Sequence, residues 1–441
     1  MGGPVDRRHL RERVDQARRE LAAAGLAPGG TVTLRLPPSL TFIAFLLAGW
    51  QLGAQVSLLD HRLAPGEVGR ALSRLAPQVL VTAENPVSAP LAGYARQAEA
   101  TVTGRADGRP AATRHALVQL SSGSTGPSKV IARTAADLID ELGRYRQLGE
   151  YPQGGSRIVL LASIVHVLGL VGGLLHSLHA GVELVYPDRL TADGIATAVA
   201  AGDAPTMLLG VPFHAELMCA ATAPPPLPSL VRMVVAGELT RPGVPETFTS
   251  RYGVPLGSMY GMTELGVIAT DLSGVFRPAV APAPGIEVRV EADGELQIRR
   301  PASPYIGLTD PTRWSDGWLR TRDAAVIDPR TGRVTILGRL DSQVSIGGLK
   351  VDLTEVEQTI CALPQVETAV VVHDREIGAY LVLASGSSLA DAEAAMAEQL
   401  AAFKRPRQLH VLTEMPRTAT GKIVRDHAVL RAAAAAPAAP G

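Results

Sequence analysis

Ser121-Ser-Gly-Ser-Thr-Gly-Pro-Ser-Lys129 decides how the rest of this chain is read. Small hydroxyl residues and glycines lead to a lysine, so backbone N–H groups, hydroxyls and one ammonium can wrap a polyphosphate. The Gly-x-x-x-x-Gly-Lys-Ser/Thr spacing of a P-loop is absent, and alone the run would read as a surface loop. Two other stretches give it a context. Tyr260-Gly-Met-Thr-Glu264 places an aromatic ring, a hydroxyl and a carboxylate in one turn, suited to a purine face, a phosphate oxygen and a magnesium ion. Arg417-Thr-Ala-Thr-Gly-Lys-Ile-Val-Arg425 holds Lys422 in a Thr-Gly loop far along the chain. A lone cation there reaches a distant site only if the fold carries it.

At 441 residues the chain is too long for one typical domain and long enough for two or three. Hydrophobic residues make up 46% of it, enough for a sizeable core. Lys+Arg and Asp+Glu stand at 42 each, so no global charge argues for nucleic acid or an acidic membrane. Cys219 and Cys361 are the only cysteines. Two so far apart make neither a disulfide framework nor a metal site, and they fit a reducing cytoplasm. The N-terminus enters a charged amphipathic pattern with no apolar signal core, and Asp6 stands where a myristoylation signal needs Ser or Thr. The apolar stretch 158–178 is interrupted by Ser163, His166, His176 and glycines, so it reads as a buried helix and not a membrane span. The expectation is a cytoplasmic protein with no nucleic-acid or membrane partner.

Leu10, Val14, Ala17 and Leu21 share one stripe, which predicts a helix over 6–24. Residues 31–36 alternate as a strand ending at Pro37-Pro38, and 39–53 form a second helix closed by Gly53. Strands and helices alternate to about residue 270, predicting parallel α/β layers. From 280 to 337, short strands with turn residues predict a small β-rich subdomain. A compact α+β unit follows from Asp341. In it Thr354 and Glu357 make a capping-box pattern, 366–373 and 379–384 read as strands, and 389–402 reads as a helix. The alanine-rich residues 431–441 lack a packing pattern and read as a disordered tail. The domains are therefore 1–338 and 339–430. No internal repeat is visible.

Together the three stretches resemble the acyl-adenylate-forming superfamily: acyl- and aryl-CoA ligases, peptide-synthetase adenylation domains and luciferases. The resemblance runs along nearly the whole chain in the family's order. Val234-Val-Ala-Gly-Glu-Leu239 looks like the strand and turn that edge the adenine pocket. Ala283-Pro-Gly-Ile-Glu-Val-Arg289 and Gly294-Glu-Leu-Gln-Ile298 look like later core strands. Trp318-Leu-Arg-Thr-Arg-Asp323 stands where the family grips ribose. Gly338-Arg-Leu-Asp341 resembles the interdomain hinge, with Asp341 at the pivot, and Gly347-Gly-Leu-Lys-Val351 resembles the thiol-transfer loop (Gly347, Gly348, Lys350).

The resemblance implies an α/β fold: a large N-terminal domain of layered α/β subdomains with a small β-rich subdomain, then a small mobile α+β C-terminal domain. It implies an ATP- and Mg2+-dependent ligase forming a carbon–sulfur bond. A carboxylic acid becomes acyl-AMP with release of pyrophosphate, then a thioester on the phosphopantetheine thiol of CoA or of a separate acyl carrier protein. By resemblance Ser121, Ser122, Gly123, Ser124, Thr125, Gly126 and Lys129 hold the β- and γ-phosphates, with Ser128 set between the family's adjacent Pro and Lys. Ala236, Gly237 and Glu238 edge the adenine, Tyr260 lies against its face, and Gly261 follows. Thr263 contacts the α-phosphate and Glu264 ligates magnesium. Asp323 accepts from both ribose hydroxyls, and Arg339 contacts the ribose or phosphate side. Lys422 stabilises the charge that builds on a pentacoordinate phosphorus in the transition state. The plainer readings are a helix-start carboxylate for Glu264, a surface turn for Asp323 and a solvated lysine for Lys422. Arg322 replaces a family glycine, which matters if that position needs a glycine conformation. Leu337-Gly-Arg-Leu-Asp-Ser342 resembles a carrier-protein serine site, but its setting matches the hinge, so Ser342 is not expected to be modified.

The acyl pocket falls, by the same resemblance, on His166, Val167, Gly237 and Gly261. His166 is either a gate to the thiol tunnel or a packed core residue. Val167 stands where α-amino-acid-activating domains carry an aspartate; without that partner a buried ammonium is costly. A small aryl or short acyl acid is therefore expected. Two alternatives stand beside the thioester ligase: an acyl-adenylate-dependent amide synthetase, and a non-catalytic nucleotide-binding homologue suggested by Arg322.

Overall fold

The structure, a computed structural model, describes residues 4–435 except 62, 64, 84–93, 95–97, 121–128, 308–309, 341–342, 347–348, 375, 401, 403 and 419–420. It describes the backbone alone at 65–67, 70, 343, 345–346, 349–350, 352 and 355.

Helix Arg7–Ala23 starts where the Asp6 carboxylate accepts the His9 N–H at 2.8 Å, the N-cap arrangement. Its stripe of Val14, Ala17 and Leu21 is buried. Ser39 caps helix Leu40–Gln51 in the same way. These helices cover a six-stranded sheet in the order Ala100–Gly104, Val79–Ala83, Thr31–Arg35, Gln55–Leu58, Leu117–Leu120, Val130–Arg133. The three central pairings are parallel and the two edge pairings antiparallel, as the alternation of strands and helices predicts.

The second sheet changes character along its width. Strands Glu183–Val185, Arg157–Leu160, Thr206–Gly210, Leu230–Ala236 and Leu256–Met262 pair in parallel. From Gly266–Asp271 onward, through Ala279–Pro282, Val334–Arg339, Trp318–Ile327, Glu295–Arg299 and Val288–Val290, every pairing is antiparallel. The change of direction falls at residues 263–265. The expected β-rich subdomain is therefore an extension of this sheet. Pro304 and Ile306 return to the first sheet: Ala132 N–H donates to the Pro304 carbonyl at 2.8 Å and Ile306 N–H to the Val130 carbonyl at 3.0 Å.

The C-terminal unit is α+β. Strands Val366–His373, Ile377–Leu383 and Gln408–Val411 form its sheet, packed by helices Leu353–Cys361, Leu389–Gln399 and His427–Ala435.

Three expectations change. The stretch 158–178 is not one helix: it is the end of strand Arg157–Leu160, a connecting turn, π-helical Leu168–Leu175 and the start of helix His176–Ala180. Its glycines permit close approach, since a Cβ on Gly169 would stand 2.3 Å from the Ser163 carbonyl oxygen and one on Gly173 2.7 Å from Leu160. Thr354 is not an N-cap, because strand Leu349–Asp352 runs straight into a helix that begins at Leu353. Glu357 reaches instead to Val371 N–H at 2.9 Å and to Arg425 at 2.8 Å. The tail read as disordered from 431 is helical through Ala435; Asp426 caps the helix and Leu430 anchors it, fully buried. Alanine's helix propensity prevails over its low complexity. Residues 436–441 lie outside the described residues. Among the described residues no helix is long and apolar enough to cross a membrane.

Candidate active site

Among the described residues, Gly237 follows the carboxyl end of parallel strand Leu230–Ala236 and Tyr260 lies near the carboxyl end of Leu256–Met262, the side on which open α/β sheets place ligands. Tyr260, near the end of Leu256–Met262, donates its hydroxyl to Asp323 Oδ2 at 2.6 Å. Burial and that carboxylate hold the phenol well above its ordinary pKa, so it stays a donor. Arg339 is opposite Asp323 across the ladder, with Nη1 3.4 Å from Oδ1 and 3.3 Å from the Thr321 carbonyl. Tyr260, Asp323 and Arg339 thus form one cluster.

Between Thr321 and Asp323, Arg322 has φ +64°. This is the left-handed region that favours glycine. Its N–H donates to Glu295 Oε1 at 2.8 Å and its guanidinium to the Thr312 carbonyl at 3.2 Å. The glycine geometry is kept without the glycine.

Thr263 and Glu264 occupy the turn between antiparallel strands, so the helix-start reading of Glu264 does not hold. The Glu264 carboxylate is nearly buried, and Oε1 accepts the Tyr305 hydroxyl at 3.0 Å. Lys129 Nζ lies 6.0 Å from the Tyr305 ring centre. Partial burial, then Arg313, holds its ammonium below the usual lysine pKa, while Glu264 pulls the other way. Behind this turn Glu141 forms an ion pair with Arg133 at 2.6 Å, both fully buried, and accepts Val267 N–H at 3.0 Å. Gly266 has φ +89°, and a Cβ there would stand 2.1 Å from the Glu141 carboxyl. Tyr305, Glu141 and Glu295 went unseen in the sequence. Only Glu141 carried a signal, as a carboxylate on the Leu138–Leu142–Tyr145 apolar stripe.

Lys422 comes from the C-terminal unit to the Gly237 turn that ends strand Leu230–Ala236. A Cβ on Gly237 (φ +95°) would stand 3.5 Å from Lys422 Nζ. Crowding raises the Glu238 carboxyl pKa even though its side chain reaches solvent; Lys422, Arg425 and Arg417 oppose that shift. Ala236, behind the turn, is buried in the core that Val167 also packs against. His166 is exposed, which removes the packed-core reading. A Cβ on Gly261 would stand 2.6 Å from the Gly266 carbonyl oxygen, so this strand end needs glycine. His214, unforeseen, is buried on helix Pro212–Cys219; Nδ1 accepts Val211 N–H at 3.1 Å, and burial pushes its pKa down to about 4.

Ser121, Ser122, Gly123, Ser124, Thr125, Gly126, Asp341, Ser342, Gly347 and Gly348 lie outside the described residues. Lys350 is on strand Leu349–Asp352, opposite Ser345. Among the described residues no group of three or more His, Cys, Asp or Glu could hold a metal. A single carboxylate with one oxygen already hydrogen-bonded fits magnesium shared with substrate phosphates and not a closed protein cage.

AMP-binding enzymes match this chain over residues 6–304, and the AMP-binding enzyme C-terminal domain matches residues 355–422. The p-hydroxybenzoic acid–AMP ligase FadD22 of Mycobacterium tuberculosis is 28% identical over 443 residues, covering 91% of this chain and 61% of its own length. This chain thus spans less than two thirds of that relative. The 4-chlorobenzoate–CoA ligase of an Arthrobacter species is 28% identical over 463 residues, covering 94% of this chain and 88% of its own. The anthranilate CoA ligase AuaEII in complex with anthranoyl-AMP superposes with a TM-score of 0.80 at 22% identity, over 97% of this chain and 92% of that one. O-succinylbenzoate coenzyme A synthetase from Bacillus subtilis, in complex with AMP, gives 0.80 at 22%, over 97% and 94%. These superpositions establish the fold, and the match over 6–304 establishes the lineage: the chain belongs to the AMP-binding enzyme family, within the acyl-adenylate-forming superfamily that its motifs resemble.

Proposed function

We propose that this chain activates a small aryl or short acyl carboxylic acid with ATP and passes it to a phosphopantetheine thiol. The placement of Lys422 against Gly237–Glu238, brought there from a separate domain, carries this reading. In the first step the acid's carboxylate oxygen attacks the α-phosphorus, the bond to pyrophosphate breaks, and acyl-AMP forms. Tyr260, Asp323 and Arg339 hold adenosine, Ser121–Lys129 holds the outgoing phosphates, and Thr263 orients the α-phosphate. Lys422 offsets the charge that develops on the phosphoryl oxygens. Glu264 would help hold Mg2+, which would supply charge neutralisation when bound. In the second step the thiol attacks the acyl carbon, loses its proton, and AMP leaves; His166 lines the approach.

Domains 1–338 and 339–430 rotate about Asp341 between the steps, bringing the loop at Gly347, Gly348 and Lys350 toward the thiol. The acids named for relatives are p-hydroxybenzoate, 4-chlorobenzoate and anthranilate, and Val167 offers an ammonium no partner. The acceptor is CoA or a separate carrier protein, in a reducing compartment that suits free Cys219 and Cys361.

The test is ATP–pyrophosphate exchange over a panel of aryl, short acyl and α-amino acids, followed by CoA and mass spectrometry. An α-amino acid as best substrate would refute the pocket. Lys422→Ala should lower adenylate formation by on the order of a hundredfold or more and weaken ATP binding far less. Normal adenylation by Lys422→Ala would sink the reading.

A further inference from the structure

Among the described residues, two arginines that link the small domain to the large one, Arg241 and Arg417, meet at a single carboxylate. Glu216, on helix Pro212–Cys219, takes Arg241 at two points: Nε to Oε1 at 2.8 Å and Nη2 to Oε2 at 2.7 Å. The remaining Arg241 nitrogen, Nη1, crosses to the small domain, donating to the Thr368 hydroxyl at 3.1 Å and to the Glu367 carbonyl. Arg417 returns from the small domain. Its guanidinium lies 4.6 Å from the Phe213 ring centre and 3.9 Å from Glu216 Oε2. It also donates to the Gly421 carbonyl at 2.8 Å. Gly421 immediately precedes Lys422, and a Cβ there would stand 3.1 Å from the Phe213 ring. Arg417 therefore grips both the docking surface and the loop that presents Lys422.

We infer that Phe213, Glu216 and Arg241 form a docking seat that serves the first half-reaction only: they position Lys422 over Gly237 and are vacated before the thiol attacks. This rests on the reading of Lys422 above. The argument is one of populations. Contacts made in one domain orientation lower the free energy of that orientation alone, and deleting them shifts the equilibrium away from it. The Tyr260–Asp323–Arg339 cluster shares no hydrogen bond with the seat among the described residues, so nucleotide affinity should not follow. The seat residues are positioning residues: they act through Lys422 and touch no substrate.

The closing experiment uses the full chain as wild type, Arg241→Ala, Arg241→Lys and Glu216→Gln. With the acid that the panel identifies, Arg241→Ala should slow pyrophosphate exchange roughly tenfold with KM for ATP unmoved. Thioester formation from presynthesised acyl-adenylate and CoA should hold or rise, and Arg241→Lys should recover part of the loss. Equal loss in both half-reactions, or an unaltered first step, overturns the seat. Hydrogen exchange needs no acid. Peptides from Pro212–Cys219 and Val366–His373 should exchange faster in Arg241→Ala while Leu40–Gln51 does not; unchanged exchange at both faces also overturns it. If Lys422→Ala abolishes adenylation while Arg241→Ala spares it, only the seat fails. If Lys422→Ala adenylates normally, the functional reading fails with it.

Discussion

Replacing Glu141 with Gln tests how the nucleotide motifs are held in place. Strand Val130–Arg133 leads out of the Ser121–Lys129 run, and Val267 follows the turn that carries Thr263 and Glu264. Glu141 joins them, with its carboxylate against the Arg133 guanidinium at 2.6 Å and the Val267 N–H at 3.0 Å. Gln keeps the shape, but Val267 and Arg133 meet different carboxylate oxygens, so its one amide oxygen can accept from either donor and not from both. What it removes is the charge facing a guanidinium that is 1% exposed. Removing one partner of such a pair costs about 3–5 kcal/mol, because the other charge stays buried. A neutral hydrogen bond from Arg133 to the new amide oxygen returns about 1 kcal/mol, and Arg133 keeps the Asp137 carbonyl at 3.0 Å. The net loss is about 2–4 kcal/mol, which for a domain of about 340 residues, with an unfolding entropy of about 2.1 cal/mol/K per residue, lowers Tm by about 3–6 °C. Scanning calorimetry measures it. Gly266→Ala should destabilise at least as much, since its Cβ would occupy the space of the same carboxyl. A Glu141→Gln protein melting within about 2 °C of wild type would refute the reasoning.

Tyr305→Phe removes the hydrogen bond on Glu264 Oε1. By analogy with other residues that orient metal ligands, Mg2+ affinity should fall about tenfold, read from magnesium titrations of ATP binding by calorimetry and of pyrophosphate exchange; an unshifted magnesium curve speaks against the role. Arg322→Gly should leave Tm within about 3 °C of wild type, because relief of left-handed strain of about 1 kcal/mol is offset by the greater freedom of glycine in the unfolded chain. KM for ATP should be unchanged, and a large drop in either would show that the guanidinium itself matters. Burial holds the His214 pKa at about 4, below its ordinary 6.5. An imidazole with a depressed folded pKa contributes stability in full above 6.5, and that stability is lost as pH falls toward 4. Tm should decline across that window and decline less in His214→Gln, which can still accept from Val211; identical slopes would show that His214 is not the titrating group.

Much of the fold was legible because its signals are local. Asp6 and Ser39 mark helix starts by capping, and the Val14–Ala17–Leu21 stripe is the buried face. The motif order placed Tyr260, Asp323, Arg339 and Lys422 in one protein. Pairings depending on tertiary structure were not legible. Tyr305 stands in a Ser-Pro-Tyr stretch with no strand pattern, and only its pairing beside Val130–Arg133 aims its hydroxyl at Glu264. Thr354 and Glu357 have capping-box spacing, yet the incoming strand moves the helix start and Arg425 claims the carboxylate.

Arg322 shows how a departure from a family pattern can be absorbed. A side chain at φ +64° is strained by about 1–2 kcal/mol, so the position survives only if neighbours over-determine it. Glu295 does this from a buried position on the next strand. Its Oε1 accepts the Arg322 N–H at 2.8 Å, while Oε2 pairs with Arg320 at 2.5 Å. The Thr321 hydroxyl donates to the Leu296 carbonyl at 2.8 Å and accepts Asp323 N–H at 3.0 Å. Residues on both sides of the strained position are thereby fixed, and Asp323 still meets Tyr260 and Arg339. The substitution that seemed to weaken the nucleotide site most is thus held by a carboxylate. Glu295→Ala should therefore disturb ATP binding more than Arg322→Gly, although Glu295 is remote from the Tyr260–Asp323–Arg339 cluster by any hydrogen bond of its own side chain. Side-by-side ATP titrations of the two variants decide it, and equal affinities would show that Asp323 keeps its place without Glu295.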